Sequence, residues 1–441
     1  MSLPSKRAAM RAWLPWLEVL CVTLIALPLL FPTLDPKVTL AALILLAVCW
    51  IGQLCCAATT LPVTPFNGAL LLWSIALGVG ISVTAYPLET LPKATGLLLG
   101  LAIWRALTVW GATWRRLPWA IGGLVLLGGG FATLGMLSVR WGAKVPFLSA
   151  LIARLPQRLL TLPGGPEAGV NANQLAGTVI LHVPLLLALV FAYWGPHRGL
   201  RWLGRGFSLI ALAFFAGLLI LTQSRSGWMG GAAGLLTLGG LWGLTGGARW
   251  RRATLVLTGL IIAGVIIFLT QSPPAIFSSL WDTPGGVDTA VGTLSLAGRV
   301  EIWSRALYAI QDFPFTGCGL GTFREVVWVL YPLFTIAPDN DFAHAHNIFL
   351  QTAVDTGITG LIAYLALLLI AGYVGWRIAR RDARLRPVAL GLVAGLVALH
   401  VYGLTDALAP GSKPGLIFWY ALGLLSLMEQ LTCPLQAADG G

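Results

Sequence analysis

The sequence predicts an all-α polytopic membrane protein, a single integral membrane domain over 1–441 with about 12 transmembrane helices. A large helical external loop is expected between helices 9 and 10. Three observations predict this. Of 441 residues, 57% are hydrophobic and only 10% are charged, where a soluble domain carries about 25%. The apolar residues come in long blocks rather than amphipathic periods, as bilayer-spanning helices require. Trp is abundant, with 19 residues, in keeping with anchoring at the two interfaces.

Apolar blocks of spanning length lie near 13–32, 38–56, 66–86, 94–113, 117–137, 173–194, 206–222, 226–245, 252–270, 348–376, 387–406 and 415–432. The first block is long enough to span and has no convincing small-residue cleavage site. It reads as a helix, not a removed signal peptide. The net charge of +12 would suggest nucleic acid in a soluble protein. Here the basic residues sit in short clusters between apolar blocks, so they report topology, and the expected partner is the bilayer. With the N-terminus inside, the cytoplasmic segments hold Lys6, Arg7 and Arg11, then Arg115 and Arg116, then Arg198, Arg201 and Arg205, then Arg249, Arg251 and Arg252, then Arg377 to Arg386. The alternate loops hold most of the acids. Both termini are therefore expected in the cytoplasm. Cys21, Cys49, Cys55, Cys56 and Cys433 lie in or beside spans and Cys318 lies in an external loop, which is no disulfide framework.

Two external segments are long, 138–172 and 271–346, and loops of that length usually have a role. In 299–312, Ile302, Trp303, Ala306, Leu307 and Ile310 share one helical face, with Glu301, Ser304, Arg305, Tyr308 and Asp312 opposite. Glu301 and Arg305 form an i, i+4 pair. The apolar segment 145–162, with Arg154 and Arg158, is expected along the interface.

Three places carry residues suited to chemistry. Arg299 falls in the middle of the apolar face of 299–312. A charge there needs a partner, because burying it alone is costly. It is either a loop salt bridge or an anion site facing the membrane body. Arg225 lies in LTQSRSGWMGG, a very short turn between two spans, beside Thr222, Gln223, Ser224 and Ser226. Its guanidinium suits bidentate phosphate recognition, and a helix opening at Ser226 would add positive potential. The competing reading is an arginine reaching lipid headgroups. The third place is PDNDFAHAHNIFLQTAVDTGITG. It holds His344 and His346, and His346, Leu350, Ala353, Gly357 and Gly360 are placed on one helix face, the glycines allowing a neighbouring helix to pack beneath the imidazole. An imidazole at the membrane edge suits general-base work. Asp339, Asp341, His344 and His346 are also metal-ligand types, a weak signal on type alone.

Other features read as structural. Gly317, Gly319 and Gly321 have no preceding strand, so a dinucleotide fingerprint fails its context and tight loop packing is expected. Asp355 reads as a structural polar contact. Asn171 and Asn173 cap the sixth span or line the site. Asp406 and Lys413 bracket the last external turn and are expected to pair.

The order TQSRSGW, SLAGRVEIWSRAL, DFPFTGCGLGTF, HAHNIFLQTAVDTGITG, HVYGLTD resembles the bacterial O-antigen ligase family, which includes related polymerases and protein O-oligosaccharyltransferases. His346 and Asn347, followed at a nine-residue interval by Gly357-x-x-Gly360, match the family's ligase motif. The resemblance implies a GT-C-like membrane glycosyltransferase of the inner membrane with a large periplasmic loop. It implies an inverting transfer, without metal or other cofactor, of a glycan from undecaprenyl pyrophosphate to a sugar hydroxyl of lipid A–core. By position, Arg225 and Arg299 would hold the pyrophosphate and His346 would deprotonate the acceptor. Asn347 would orient His346, with Gln223 and Ser224 supporting, and His344 is not required by the motif. The alternatives are an O-antigen polymerase, a protein O-oligosaccharyltransferase, an inorganic-carbon transporter or a membrane scaffold. A transporter is expected to show broken helices at mid-membrane and repeats, and a scaffold leaves Arg299 unexplained.

Overall fold

The computed structural model describes residues 6–56, 62–111, 113–139, 141, 145–154, 170–192, 194, 197–249, 251–256, 259, 296–334, 336 and 344–432. Among them the regular elements are helices, with one isolated bridge between Val139 and Val170. In chain order these are α1 (Lys6–Leu30), α2 (Pro36–Cys56), α3 (Asn67–Ser82), α4 (Pro87–Trp110), α5 (Leu117–Ser138) and α6 (Pro146–Ile152). There follow α7 (Ala172–Ile180), α8 (His182–Val190), α9 (Arg198–Leu221), α10 (Arg225–Thr245), α11 (Leu296–Asp312), α12 (Phe323–Leu330), α13 (Ile348–Arg381), α14 (Arg386–Tyr402) and α15 (Leu416–Thr432). Seven described helical stretches are long and apolar enough to cross a membrane, and α3 and α14 are shorter apolar helices. Every predicted block is largely helical where described, including 252–256 and 259; the rest of 252–270 lies outside the described residues, as do 271–295, Asp339, Asp341 and Arg158.

The sixth block departs from a simple span. It is two helices meeting at Leu181. Pro184, in the first turn of α8, has no N–H to return to Ile180 and so breaks the ladder there. Asn171 caps α7 by accepting from the Asn173 N–H at 2.9 Å.

Packing is closest where glycines remove side chains. A Cβ on Gly230 of α10 would stand 2.5 Å from the Ala398 carbonyl oxygen of α14, so those two helices touch along their backbones. The core runs through α4, α13, α14 and α15, with Tyr364, Tyr402 and Trp419 fully buried. The outer faces of α1, α2 and α9 carry exposed Leu24, Leu40, Leu203 and Ile210, a surface suited to lipid. Charges within the bundle are paired. Arg105 meets Glu18 and Gln53, and Arg377 meets Glu429.

The bundle has two unlike ends. One carries the arginine–aromatic contacts, Arg116 over Trp16 and Trp110, and Arg384 over Trp114. The other gathers the turns after α3, α9 and α14 with α11, α12 and the start of α13. Leu320 N–H donates to Gly80, Thr405 to Ser226, and Asn347 to Leu404.

Candidate functional site

The site forms at that second end, around the start of α13. Asn347 is its N-cap. The side-chain oxygen accepts from the N–H groups of Phe349 and Leu350 at 2.9 and 3.1 Å, and the amide nitrogen donates to the Leu404 carbonyl at 3.0 Å. The Ile348 N–H donates to Gly403 at 2.7 Å. Asn347 thus fastens α13 to the turn that carries Asp406. Its role is capping and anchoring, where the resemblance implies contact with the imidazole.

His346 stands outside the helix, with φ +46°. The shared face predicted from His346 through Leu350 and Ala353 therefore does not exist. The cap at Asn347 stops the helical period one residue after His346, and Gly357 is itself non-helical, at φ 69° and ψ −179°. A left-handed backbone costs a non-glycine residue roughly 1–2 kcal/mol, so its surroundings must hold it. They do so at both ends. The His346 N–H donates to His344 Nδ1 at 3.1 Å, and its carbonyl accepts from Trp303 Nε1 of α11 at 3.3 Å.

Asp406 is the centre of the histidine pair. One carboxylate oxygen lies 3.5 Å from both His344 Nε2 and His346 Nδ1. Burial pushes the Asp406 carboxyl up, but His346, His344 and the Ala407 N–H outweigh it and hold it at about 2. Burial takes His344 down to about 3, and His346 pushes the same way. The predicted Asp406–Lys413 pair is not formed. Lys413 lies over the Phe31 ring at 3.9 Å, because the turn directs the acid inward to the histidines.

His344, His346 and Asp406 are ligand types whose donor atoms lie within 4.8 Å of one another. The hydrogen bonding does not fit a metal. A backbone N–H can only donate, so His344 Nδ1 must be the unprotonated nitrogen. That puts the ring proton on Nε2, the atom facing the carboxylate, where a metal would need a lone pair. The same logic separates the two imidazoles. Both nitrogens of His344 are engaged. His346 turns Nδ1 toward Asp406 at 3.5 Å, without forming a hydrogen bond to it.

The two arginines reach this group from different elements. Arg225 is the first residue of α10 and is exposed. The helix opens there and not at Ser226, because Ser224 is the cap, accepting from the Gly227 N–H at 3.2 Å. Gln223 is exposed in a left-handed turn, at φ +51°. A cation at a helix N-terminus opposes the helix dipole, so the end of α10 is doubly positive. Arg299 lies in the first turn of α11, on the face of the buried Ile302 and Ala306. Leu307, expected on that face, is 51% exposed, and Ala309 takes its place inside. The Arg299 Nε is buried without a hydrogen-bond partner among the described residues. Burial pushes the guanidinium below the usual arginine range, Asp406 opposes this, and Arg225 adds to it. A cation that is desolvated beside a second cation is relieved by an incoming anion.

A supporting layer holds the loop, and the sequence did not point to it. The Ala345 N–H donates to Gln351 Oε1 at 2.8 Å, and Gln351 Nε2 donates to Asp355 at 2.9 Å. Asp355 also accepts from the Gly321 N–H at 2.9 Å and stands 4.0 Å from Lys93 Nζ. Asp355 is thus the expected polar contact, and the three-glycine loop is tightly packed as expected. Lys93 of α4 and Gln351 of α13 had no signal in the sequence, since each is one of several polar residues in its helix and neither motif nor period marks it.

Residues 209–365 match the protein family described as O-antigen ligase. That stretch contains Arg225, Arg299, His346 and Asn347. That part of the chain is similar to the O-antigen ligase family. The chain is 29% identical over 266 residues to an O-antigen ligase of Pseudomonas aeruginosa, covering 58% of this chain and 57% of that protein. It is 26% identical over 333 residues to the exopolysaccharide production protein ExoQ of Rhizobium meliloti, covering 66% of this chain and 72% of that one. The match to that family and the apolar helices together indicate a multi-pass membrane protein.

Proposed function

We propose that this chain is an O-antigen ligase-type glycosyltransferase of the inner membrane, acting at its periplasmic face. It transfers a glycan from undecaprenyl pyrophosphate to a hydroxyl of lipid A–core. The observation that carries this reading is the meeting of Arg225, Arg299 and a His346–Asp406 pair at one end of the bundle. Arg225 and Arg299 bind the pyrophosphate and neutralise the charge that grows on it as it leaves. His346 Nε2 takes the proton of the acceptor hydroxyl while Asp406 faces Nδ1–H, the division of labour of an Asp–His pair. The hydroxyl oxygen forms the new bond to the anomeric carbon from the face opposite the pyrophosphate. The old C–O bond breaks with its electron pair going to the phosphate, and the configuration inverts. Two arginines supply the positive charge that a divalent ion supplies elsewhere, so transfer needs no metal.

The donor's lipid chain needs an apolar lateral path. A groove of about 580 Å³ between α5 and α9, lined by Gly129, Gly130, Phe207, Ile210 and Phe214, offers one. The α9 helix continues from it to the turn that bears Arg225.

The test is to incubate purified protein with undecaprenyl-pyrophosphate glycan and, in parallel, with lipid A–core, a second repeat unit or a protein acceptor. Conjugation to lipid A–core is expected, and it is expected to survive excess chelator. A product on the repeat unit makes the enzyme a polymerase. No product on any acceptor removes the transferase assignment.

A further inference from the structure

We propose that His344 is a positioning residue for the His346 base, its ring tying the strained His346 backbone to Asp406. The proposal rests on the reading of His346 as the base.

The geometry assigns one task to each nitrogen of His344. Nδ1 accepts the His346 N–H at 3.1 Å, and Nε2 faces Asp406 at 3.5 Å. The two rings stand 4.3 Å apart, tilted by 58°, over the same carboxylate oxygen. Between them the Ala345 N–H is taken by Gln351 Oε1. The carbonyl beyond is held by Trp303, on the same helix as Arg299. His346 is therefore clamped on both sides in a backbone conformation that it would leave if released, and its ring direction follows from that backbone. A ring shifted by an ångström no longer lies on the line between Asp406 and the acceptor proton, and misplacement on that scale costs a rate factor of about a hundred.

The clamp has a side-chain equivalent. An asparagine oxygen stands as many bonds from its own Cα as His Nδ1 does, and asparagine commonly accepts the N–H two residues on in an Asx turn. His344→Asn keeps the bond to the His346 N–H and gives up only the approach to Asp406. His344→Ala removes both.

The experiment uses the purified full chain, undecaprenyl-pyrophosphate glycan, and the acceptor that supports transfer. It compares wild type, His344→Ala, His344→Asn and His346→Ala for kcat, donor KM and donor binding, with folding checked by gel filtration. His344→Ala is expected to lower kcat about ten- to hundredfold, with donor KM and binding within about twofold. His344→Asn is expected to recover most of kcat. A folded His344→Ala with wild-type kcat overturns the proposal. So does a folded His344→Asn that is no better than the alanine variant. If the alanine variant does not fold, the asparagine variant decides alone, near wild type for the clamp and inactive against it. An active His346→Ala is a different failure: it removes the base reading, and the clamp with it.

Discussion

At the scale of single residues, charge and tautomer do the arguing. Arg225→Ala and Arg299→Ala are each expected to nearly abolish transfer with the protein still folded, since removing a charge-assisted hydrogen bond to phosphate in a low-dielectric site costs several kcal/mol. Lysine at either position is expected to rescue only in part, for want of the planar fork. His346→Ala is expected to cost about a hundred- to ten-thousandfold in rate while donor still binds. Steady-state kinetics and a donor-binding assay check all of these, and wild-type turnover in both arginine variants would end the pyrophosphate assignment. A second prediction concerns pH. The folded state holds His344 neutral down to about 3, against an ordinary value near 6.5. Below 6.5 the unfolded chain takes up a proton that the folded site refuses, so folding stability falls as pH drops from 6.5 toward 3. Asp406 acts lower still. Its folded value of about 2 gives stability that is present above its ordinary value near 3.8 and fades as pH falls through 2. Thermal unfolding in detergent from pH 7 to 4 is expected to show a shallower loss for His344→Asn than for wild type, and parallel curves would mean the buried imidazole is not the source.

The broken α13 and its N-cap are the elements that build the site. At Gly357 the chain takes a conformation open essentially to glycine alone. The break releases Ile358 N–H to the Pro314 carbonyl at 2.7 Å and Val354 carbonyl to the Cys318 N–H at 2.8 Å. The loop of Gly317, Gly319 and Gly321 docks into that gap. The glycine thus makes room for a loop, where the sequence suggests a packed helix. A Cβ at Gly357 would stand 2.5 Å from the Phe315 carbonyl. Gly357→Ala is expected to cost about 1–3 kcal/mol from backbone strain alone, read as a lower unfolding midpoint. It is also expected to slow transfer, because Asp355 beside the break holds Gln351 and, through it, Ala345. An unchanged midpoint would show that the loop does not depend on the break.

Over the whole molecule, two ends of opposite character face two leaflets. The arginine–aromatic end suits the cytoplasmic interface, where basic residues accumulate, so the histidine end is expected at the periplasm. Single cysteines placed in a background without native thiols test this. Position 288 is expected to react with an impermeant reagent in intact cells and position 384 only after permeabilisation, and a reversed pattern turns the protein over. The groove between α5 and α9 makes a separate prediction. A Cβ at Gly129 or Gly130 meets nothing within 4 Å, so Gly129→Trp fills the groove without disturbing the helix pair. It is expected to raise KM several-fold for a long-chain donor and to spare a short-chain analogue. Equal effects on both donors would place the lipid elsewhere.

Composition and hydropathy alone determined that this chain is helical and of the membrane class, because spanning length and apolarity are sums over neighbouring residues. The same string supplied Arg225, Arg299, His346 and Asn347, each either out of place on an apolar face or inside a recognisable motif. Tertiary structure decided what those residues do to one another. The Asn347 amide meets Leu404, 57 residues on, and Thr405 meets Ser226, 179 residues back. Asp406 came to the histidines, Lys93 to Asp355 and Trp303 to the His346 carbonyl in the same way. Pairings between remote segments leave no period in the sequence. Helical phase also misleads where a capping side chain ends the helix one residue after the group of interest. His346 therefore looked like the top of a helix face and is instead a clamped, left-handed residue whose direction is set by His344, Trp303 and Asp406.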